Sequence, residues 1–308
     1  MPLVTLDDIR AAAARIRPAI RRTPVLDVDR LYLKCENLQA TGAFKLRGAA
    51  NMLALLPAAA RAGGVITYSS GNHGQAVACA AAHHGCRAVI VMPETAPRVK
   101  VEAVRHYGGE VVFAGTTSAD RQVRADAEAE AQGLAMVPPF DHPCIIAGAG
   151  TTGLEILEQC PQAATIFVPM GGGGQISGVA TAVKQMRGGV RIIGVEPVGA
   201  ARITASLSAG HPVTLPRTTS IADGLLTLRP GDLTLAHIQA YVDDVVTVDD
   251  AAIGAAVRWL FREARLVAEP SGAATVAAAL QAGGTRAGAL AIVSGGNVDA
   301  ADFARYIC

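Results

Sequence analysis

Short apolar runs alternate with longer alanine-rich stretches along most of this chain, and that alternation restricts the fold more than any other feature. Val65-Ile66-Thr67-Tyr68 reads as a strand and Ala76 to His84 as the helix that follows it. Ala88 to Met92 is a strand ended by Pro93, Pro97 to Tyr107 is helical, Glu110 to Phe113 is a strand, and Ser118 to Gln132 is a helix. Farther on, Thr165 to Val168 and Arg191 to Val195 bracket a helix over Gln175 to Met186, and Ala289 to Val293 is a final strand. Repeated strand–helix–strand order predicts an α/β fold with parallel sheets and right-handed crossovers. Ligands in such folds lie beyond the carboxyl ends of the strands, where the loops gather.

Composition agrees and narrows the partners. The 308 residues are 51% hydrophobic and only 4% aromatic, an Ala/Val/Leu/Ile mixture suited to strands buried beneath helices. A formal net charge of +1, without a basic or acidic block, offers no surface for nucleic acid or an anionic membrane. Cys35, Cys79, Cys86, Cys144, Cys160 and Cys308 are scattered without metal-ligand spacing and read as thiols in a reducing compartment. The N-terminus has no apolar signal core, and no uncharged run is long enough to span a bilayer. The expectation is a soluble cytoplasmic protein.

Four loops carry the chemistry. In KCENLQATGAFKLRG (Lys34 to Gly48), Lys45 follows an apolar Ala43-Phe44 pair and precedes Arg47. An amine held against apolar groups and beside another cation loses preference for its charged form and becomes a nucleophile. A lysine near a core is more commonly a snorkelling surface residue, so this segment needs support from the others. Gly171-Gly172-Gly173-Gly174 follows a strand and opens a helix, where bare backbone amides at the positive helix end bind an anion. A P-loop would need Gly-Lys-Ser/Thr, and Gln175-Ile176-Ser177 supplies none. A dinucleotide fingerprint fails by a residue or two, although Glu196 stands where a ribose-binding acid is expected. A single phosphate fits better, and a plain tight turn is the bland alternative. In SSGNHGQA, Ser69, Ser70, Gly71, Asn72 and His73 sit between a strand and a helix, suited to a carboxylate, with Ser69 or Ser70 as a simple helix cap the competing reading. His73 also fits a core histidine satisfied by backbone. SGGN (Ser294 to Asn297) follows the last strand.

These four segments, in this order, resemble the fold-type II pyridoxal-phosphate enzymes, and within them the serine/threonine dehydratase and serine racemase family. RTP at Arg22 to Pro24, IADG at Ile221 to Gly224 and AEPSGA at Ala268 to Ala273 extend the resemblance over nearly the whole chain. It implies a tryptophan synthase β-like architecture of two open parallel-sheet lobes with pyridoxal 5'-phosphate in the cleft. The large lobe would be residues 1–48 and 140–308, and the small lobe residues 49–139. The resemblance also implies a homodimer acting on a small amino acid. Lys45 would hold the cofactor, with Phe44, Asn72, Ser294 and the glycine run Gly171 to Gly174 around it, and the 69–73 loop would grip the substrate carboxylate.

The implied reaction is dehydration of a β-hydroxy amino acid such as serine or threonine to a 2-oxo acid and ammonia, a carbon–oxygen lyase activity. Ser294 would face the pyridine nitrogen, and a neutral hydroxyl there makes a weaker electron sink than a carboxylate does. That favours prompt loss of a β-hydroxyl over transamination. Ser70 matches the serine that serine racemases and hydroxyaspartate dehydratases place opposite the lysine, where threonine dehydratases carry alanine; it would be a catalytic acid/base on the far face, so racemisation and hydroxyaspartate dehydration stand as alternatives. Two departures from the pattern appear. Ala43 replaces a common serine, and Arg202 replaces an acid of the family's divalent-cation site, leaving Glu196 alone. A guanidinium cannot ligate Mg²⁺ or Ca²⁺, so no metal is expected and an Arg202–Glu196 pair is expected instead. Because the chain ends shortly after SGGN, no C-terminal regulatory domain is expected. From other classes, an NAD-dependent oxidoreductase would rest on the glycine run and Glu196, and a small-molecule binding protein would need the cleft without a reactive lysine.

Overall fold

The computed structural model describes residues 2–308 apart from Arg30, Ser70 and residues 284–287. Among them ten strands form two sheets: β1 (Val25–Val28), β2 (Leu31–Cys35), β3 (Val65–Tyr68), β4 (Ala88–Met92), β5 (Glu110–Phe113), β6 (Ala135–Met136), β7 (Thr165–Pro169), β8 (Arg191–Pro197), β9 (Asp244–Val248) and β10 (Ala289–Val293). The smaller sheet runs β5-β4-β3-β6, parallel throughout. The larger runs β1-β2-β10-β7-β8-β9 and draws strands from both ends of the chain. β10, last in sequence, lies between β2 and β7 and is parallel to both.

The expectation of parallel pairing holds for every pair but one. β1 and β2 form an antiparallel hairpin at the edge of the large sheet. Its turn carries Asp29 at φ 51°, a left-handed conformation that Asp tolerates and hairpin turns require. The central strands β4 and β10 are buried at all five positions, so neither shows the alternation of a half-exposed strand.

Helix ends follow local chemistry. Thr117 and Asp120 form a capping box that starts helix Ser118–Gln132, and Gly133 ends it at φ 65°. Helix Asn72–His83 begins four residues earlier than the apolar pattern from Ala76 indicates. Its first turn is polar because those side chains meet polar partners: Asn72 bonds Glu269 and Asn297, and His73 lies against Val137 O. The core divides accordingly. One face of the large sheet packs against helices Asp250–Ala264 and Pro270–Gln281, the other against helix Gly174–Met186, and a separate cluster around Ile90, Val104 and Val77 fills the small lobe. Each fully buried Leu, Ile or Val side chain contributes roughly 1.5–3 kcal/mol.

Candidate active site

Lys45 is the first residue of helix Lys45–Leu55. The residues before it are stitched to the end of β10: Ala43 bridges Gly295, and the Phe44 amide donates to Ser294 O at 3.0 Å. Lys45 Nζ donates to Pro139 O at 2.7 Å and lies 5.2 Å from the centre of the Phe44 ring. Among the described residues no carboxylate pairs with it. Burial lowers its pKa from 10.5 to about 8. The contribution expected from Arg47 is absent. Arg47 turns into a buried cluster, donating from Nε to Glu36 at 2.7 Å and from Nη1 to Glu155 at 2.8 Å. Its charge is met there, so desolvation alone accounts for the lowered pKa of Lys45.

The glycine loop is joined to Lys45 through the segment Pro139-Phe140. Pro139 leads into Phe140, whose ring lies against Gly172 so closely that a Cβ on Gly172 would stand 2.4 Å from a ring carbon. Gly173 adopts φ +99°, open only to glycine at no cost, and helix Gly174–Met186 starts behind it. The carbonyls of Met170 and Gly171 accept from Arg202, and that of Gly172 accepts from Thr234 Oγ1 at 2.7 Å. The amides of Gly171, Gly172 and Gly173 donate to no acceptor among the described residues. One residue into the helix, the Gln175 side-chain amide is 3% exposed with no partner for either polar atom. Free amides ahead of a helix N-terminus, with no room for side chains, suit a phosphate.

Opposite lies the 69–73 segment. Helix Asn72–His83 has Gly71 at its N-cap and no side-chain cap, so its opening amides remain available to an anion. The capping alternative for Ser69 therefore fails: its Oγ accepts from the Gly71 amide at 3.1 Å instead. Ser70, the far-face acid/base of the sequence reading, lies outside the described residues. His73 is buried, with Nε2 3.1 Å from Val137 O and Nδ1 unpartnered. Burial, and secondarily the Lys45 charge, push its pKa down to about 3, which keeps the ring neutral.

Asn72 Nδ2 donates to Glu269 Oε1 at 2.5 Å, and its Oδ1 accepts from Asn297 Nδ2 at 2.8 Å, so its amide plane is fixed from two sides. Glu269 was not singled out from sequence, although it sits in AEPSGA. Burial, followed by the neighbouring Asp223 carboxylate, raises its pKa to about 7. No local pattern marks it, because its burial is set by the strand-end loop Ser294 to Asn297 folding over it. Ser294 is 5% exposed, and its Oγ has only a long 3.5 Å contact to Ser271 O, leaving a hydroxyl free to donate. Lys100 pairs with Asp223.

Glu196 and Arg202 are both fully buried, with Nη1 3.5 Å from Oε1. Both Glu196 oxygens are otherwise taken, Oε1 by the Ile203 amide and Oε2 by the Thr204 amide and hydroxyl, each at 2.9 Å.

A desolvated amine and a glycine loop of free amides, brought together by the Pro139-Phe140 segment that touches both, suit an enzyme that holds a phosphorylated carbonyl cofactor. Residues 16–295 match the family described as pyridoxal-phosphate dependent enzyme, and the chain belongs to that family. Its cofactor is pyridoxal phosphate, which sets aside the NAD reading. The chain is 42% identical over 273 residues to the L-threonine dehydratase biosynthetic IlvA of Pasteurella multocida, covering 86% of this chain and 53% of that protein. It therefore spans about half the length of that dehydratase. It is 42% identical over 309 residues to a serine racemase of Oryza sativa subsp. indica, covering 96% of this chain and 91% of the racemase. The solved structure of maize serine racemase superposes with a TM-score of 0.94 at 41% identity, over 99% of this chain and 97% of that one. Among the described residues no helix is long and apolar enough to cross a membrane.

Proposed function

We propose that the protein is a lyase that dehydrates a β-hydroxy L-amino acid to a 2-oxo acid and ammonia. The observation that carries this reading is Lys45, an amine of pKa about 8 with no carboxylate partner, in a cleft it shares with unpaired glycine amides. Pyridoxal phosphate, when bound, supplies an electron-withdrawing ring able to take up the electron pair left as the Cα–H bond breaks. Lys45 removes the Cα proton, and its pKa near neutrality suits an acid–base role. The amides of Gly171 to Gly174 hold the phosphate. The opening of helix Asn72–His83, with Ser69, Ser70, Gly71, Asn72 and His73, holds the substrate carboxylate. Ser294 donates to the pyridine nitrogen without charging it. The β-hydroxyl leaves as water, and a second water hydrolyses the resulting imino acid, releasing ammonia.

The domain division at 48/49 and 139/140 belongs to the same reading, since β3 to β6 all fall between those limits. So does a cytoplasmic setting, which six free cysteines suit. The homodimer that the resemblance implies is checked by sedimentation. Release of 2-oxo acid from serine, threonine, hydroxyaspartate and phenylserine tests the activity. Holoenzyme that releases none from any of them would sink it.

Serine racemisation is a second reading, favoured by the near-complete coverage of the rice racemase. It requires a proton donor on the face opposite Lys45, and Ser70 is our candidate. Ser70→Ala should then lower D-isomer formation about 10²- to 10⁴-fold and dehydration far less. An unchanged ratio of the two activities would remove Ser70 from that role.

A further inference from the structure

We propose that Arg202 is a positioning residue for the cofactor phosphate, acting from behind the glycine loop. Its buried guanidinium donates from Nε to Gly171 O at 3.0 Å and from Nη2 to the carbonyls of both Met170 and Gly171. Nη1 bonds Ala200 O, and Glu196 balances the charge at 3.5 Å. Thr234 Oγ1 takes the next carbonyl, Gly172 O, at 2.7 Å. In a trans peptide the C=O and the following N–H point in opposite directions. Pinning the carbonyls of residues 170, 171 and 172 on one side therefore turns the amides of 171, 172 and 173 out of the other. None of those three amides has a protein acceptor among the described residues. A cation on the carbonyl also polarises each peptide group, making its N–H a stronger donor toward an anion.

Arg202 touches neither substrate nor reacting atoms. It fixes the direction of the donors that do the binding. The inference rests on the phosphate assignment of the glycine loop and not on which reaction follows.

The test compares two ligands, pyridoxal phosphate and pyridoxal, which differ only in the phosphate. Cofactor-free wild type is set against the double variant Glu196→Gln/Arg202→Met, which removes both buried charges together, and against Thr234→Val, which removes one tether and no charge. Binding is read from the cofactor's absorbance, and the site of covalent linkage is read by borohydride trapping and peptide mass. The double variant should bind pyridoxal phosphate roughly 10- to 100-fold more weakly, as expected for losing hydrogen bonds to a charged group, with pyridoxal binding nearly unchanged. Thr234→Val should show the same selective loss on a smaller scale. Equal weakening of both ligands, or no weakening of either, overturns the inference. If the double variant does not fold, Thr234→Val decides alone. Trapping at a lysine other than Lys45 would overturn the catalytic assignment while leaving the ratio of the two ligands, and so the role of Arg202, still measured.

Discussion

Lys34 and Lys45 stand eleven positions apart in one segment, the first fully buried and the second half-buried, both with the charged form disfavoured first by desolvation. Their surroundings differ completely. Lys34 Nζ donates to Thr23 O at 2.7 Å, Glu155 Oε2 at 2.6 Å and Gln159 Oε1 at 2.8 Å, and the Glu36 and Glu155 carboxylates work to restore its charge. Lys45 has one backbone carbonyl and an aromatic face. Burial disfavours the charge of both lysines, but carboxylates work to restore it only at Lys34. The first amine is saturated by acceptors that include a carboxylate, and the second meets a single backbone carbonyl.

Exchanging the two roles is the strongest way to break that contrast. Lys45→Ala should abolish turnover, a loss of at least about 10⁴-fold, together with borohydride-trapped cofactor, at an unchanged unfolding midpoint. Retained trapping would place the reactive amine elsewhere. Lys34→Met should do the reverse. It removes one of the two cations paired with Glu155 and the donor to Thr23 O and Gln159, so denaturant titration should show a loss of about 1–3 kcal/mol, while trapping at Lys45 persists in the folded fraction.

The pH response sharpens the comparison further. A pKa of about 8 means that the neutral, nucleophilic amine at Lys45 grows as pH rises through 8. Cofactor uptake by the cofactor-free protein should therefore slow about tenfold per pH unit below that point. The unfolded lysine keeps its proton up to about 10.5, so the folded cofactor-free protein should gain stability between pH 8 and 10.5 as the two forms diverge in bound protons. A flat uptake profile between pH 6 and 9 would show that another group limits it.

The smallest expected effect concerns a third buried cation. Glu196 already has both oxygens engaged and Arg202 beside it. EDTA should leave activity nearly unchanged, and a large loss reversed by Mg²⁺ would contradict that.

Much of this was legible in the sequence for a physical reason. Glycine at φ +99° and apolar five-residue strands are constraints a short segment carries by itself, so the loop 171–174 and strands such as β4 and β10 could be read directly. The antiparallel hairpin is hard to read because β1 is only four residues long and half-exposed at the sheet edge, so it shows neither a buried run nor a clear alternation. The start of helix Asn72–His83 was misplaced because its polar first turn serves the cleft and not the core. The role given to Arg47 failed because sequence proximity to Lys45 says nothing of direction: α-helical geometry turned the two side chains apart, one toward Pro139 and the other toward Glu36. Glu269 and Phe140 belong to the site only through tertiary contact.

The approach of Phe140 to Gly172 has a consequence for descent. Neither residue is free to drift alone, since a methyl group on Gly172 would overlap the ring. The two positions should therefore change together or not at all, and a double-mutant cycle between them should be strongly non-additive. A lineage that widened position 140 would first loosen the anion cradle before any side chain at 172 became admissible. The shape of the loop is thus held by a neighbour that lies outside it in sequence.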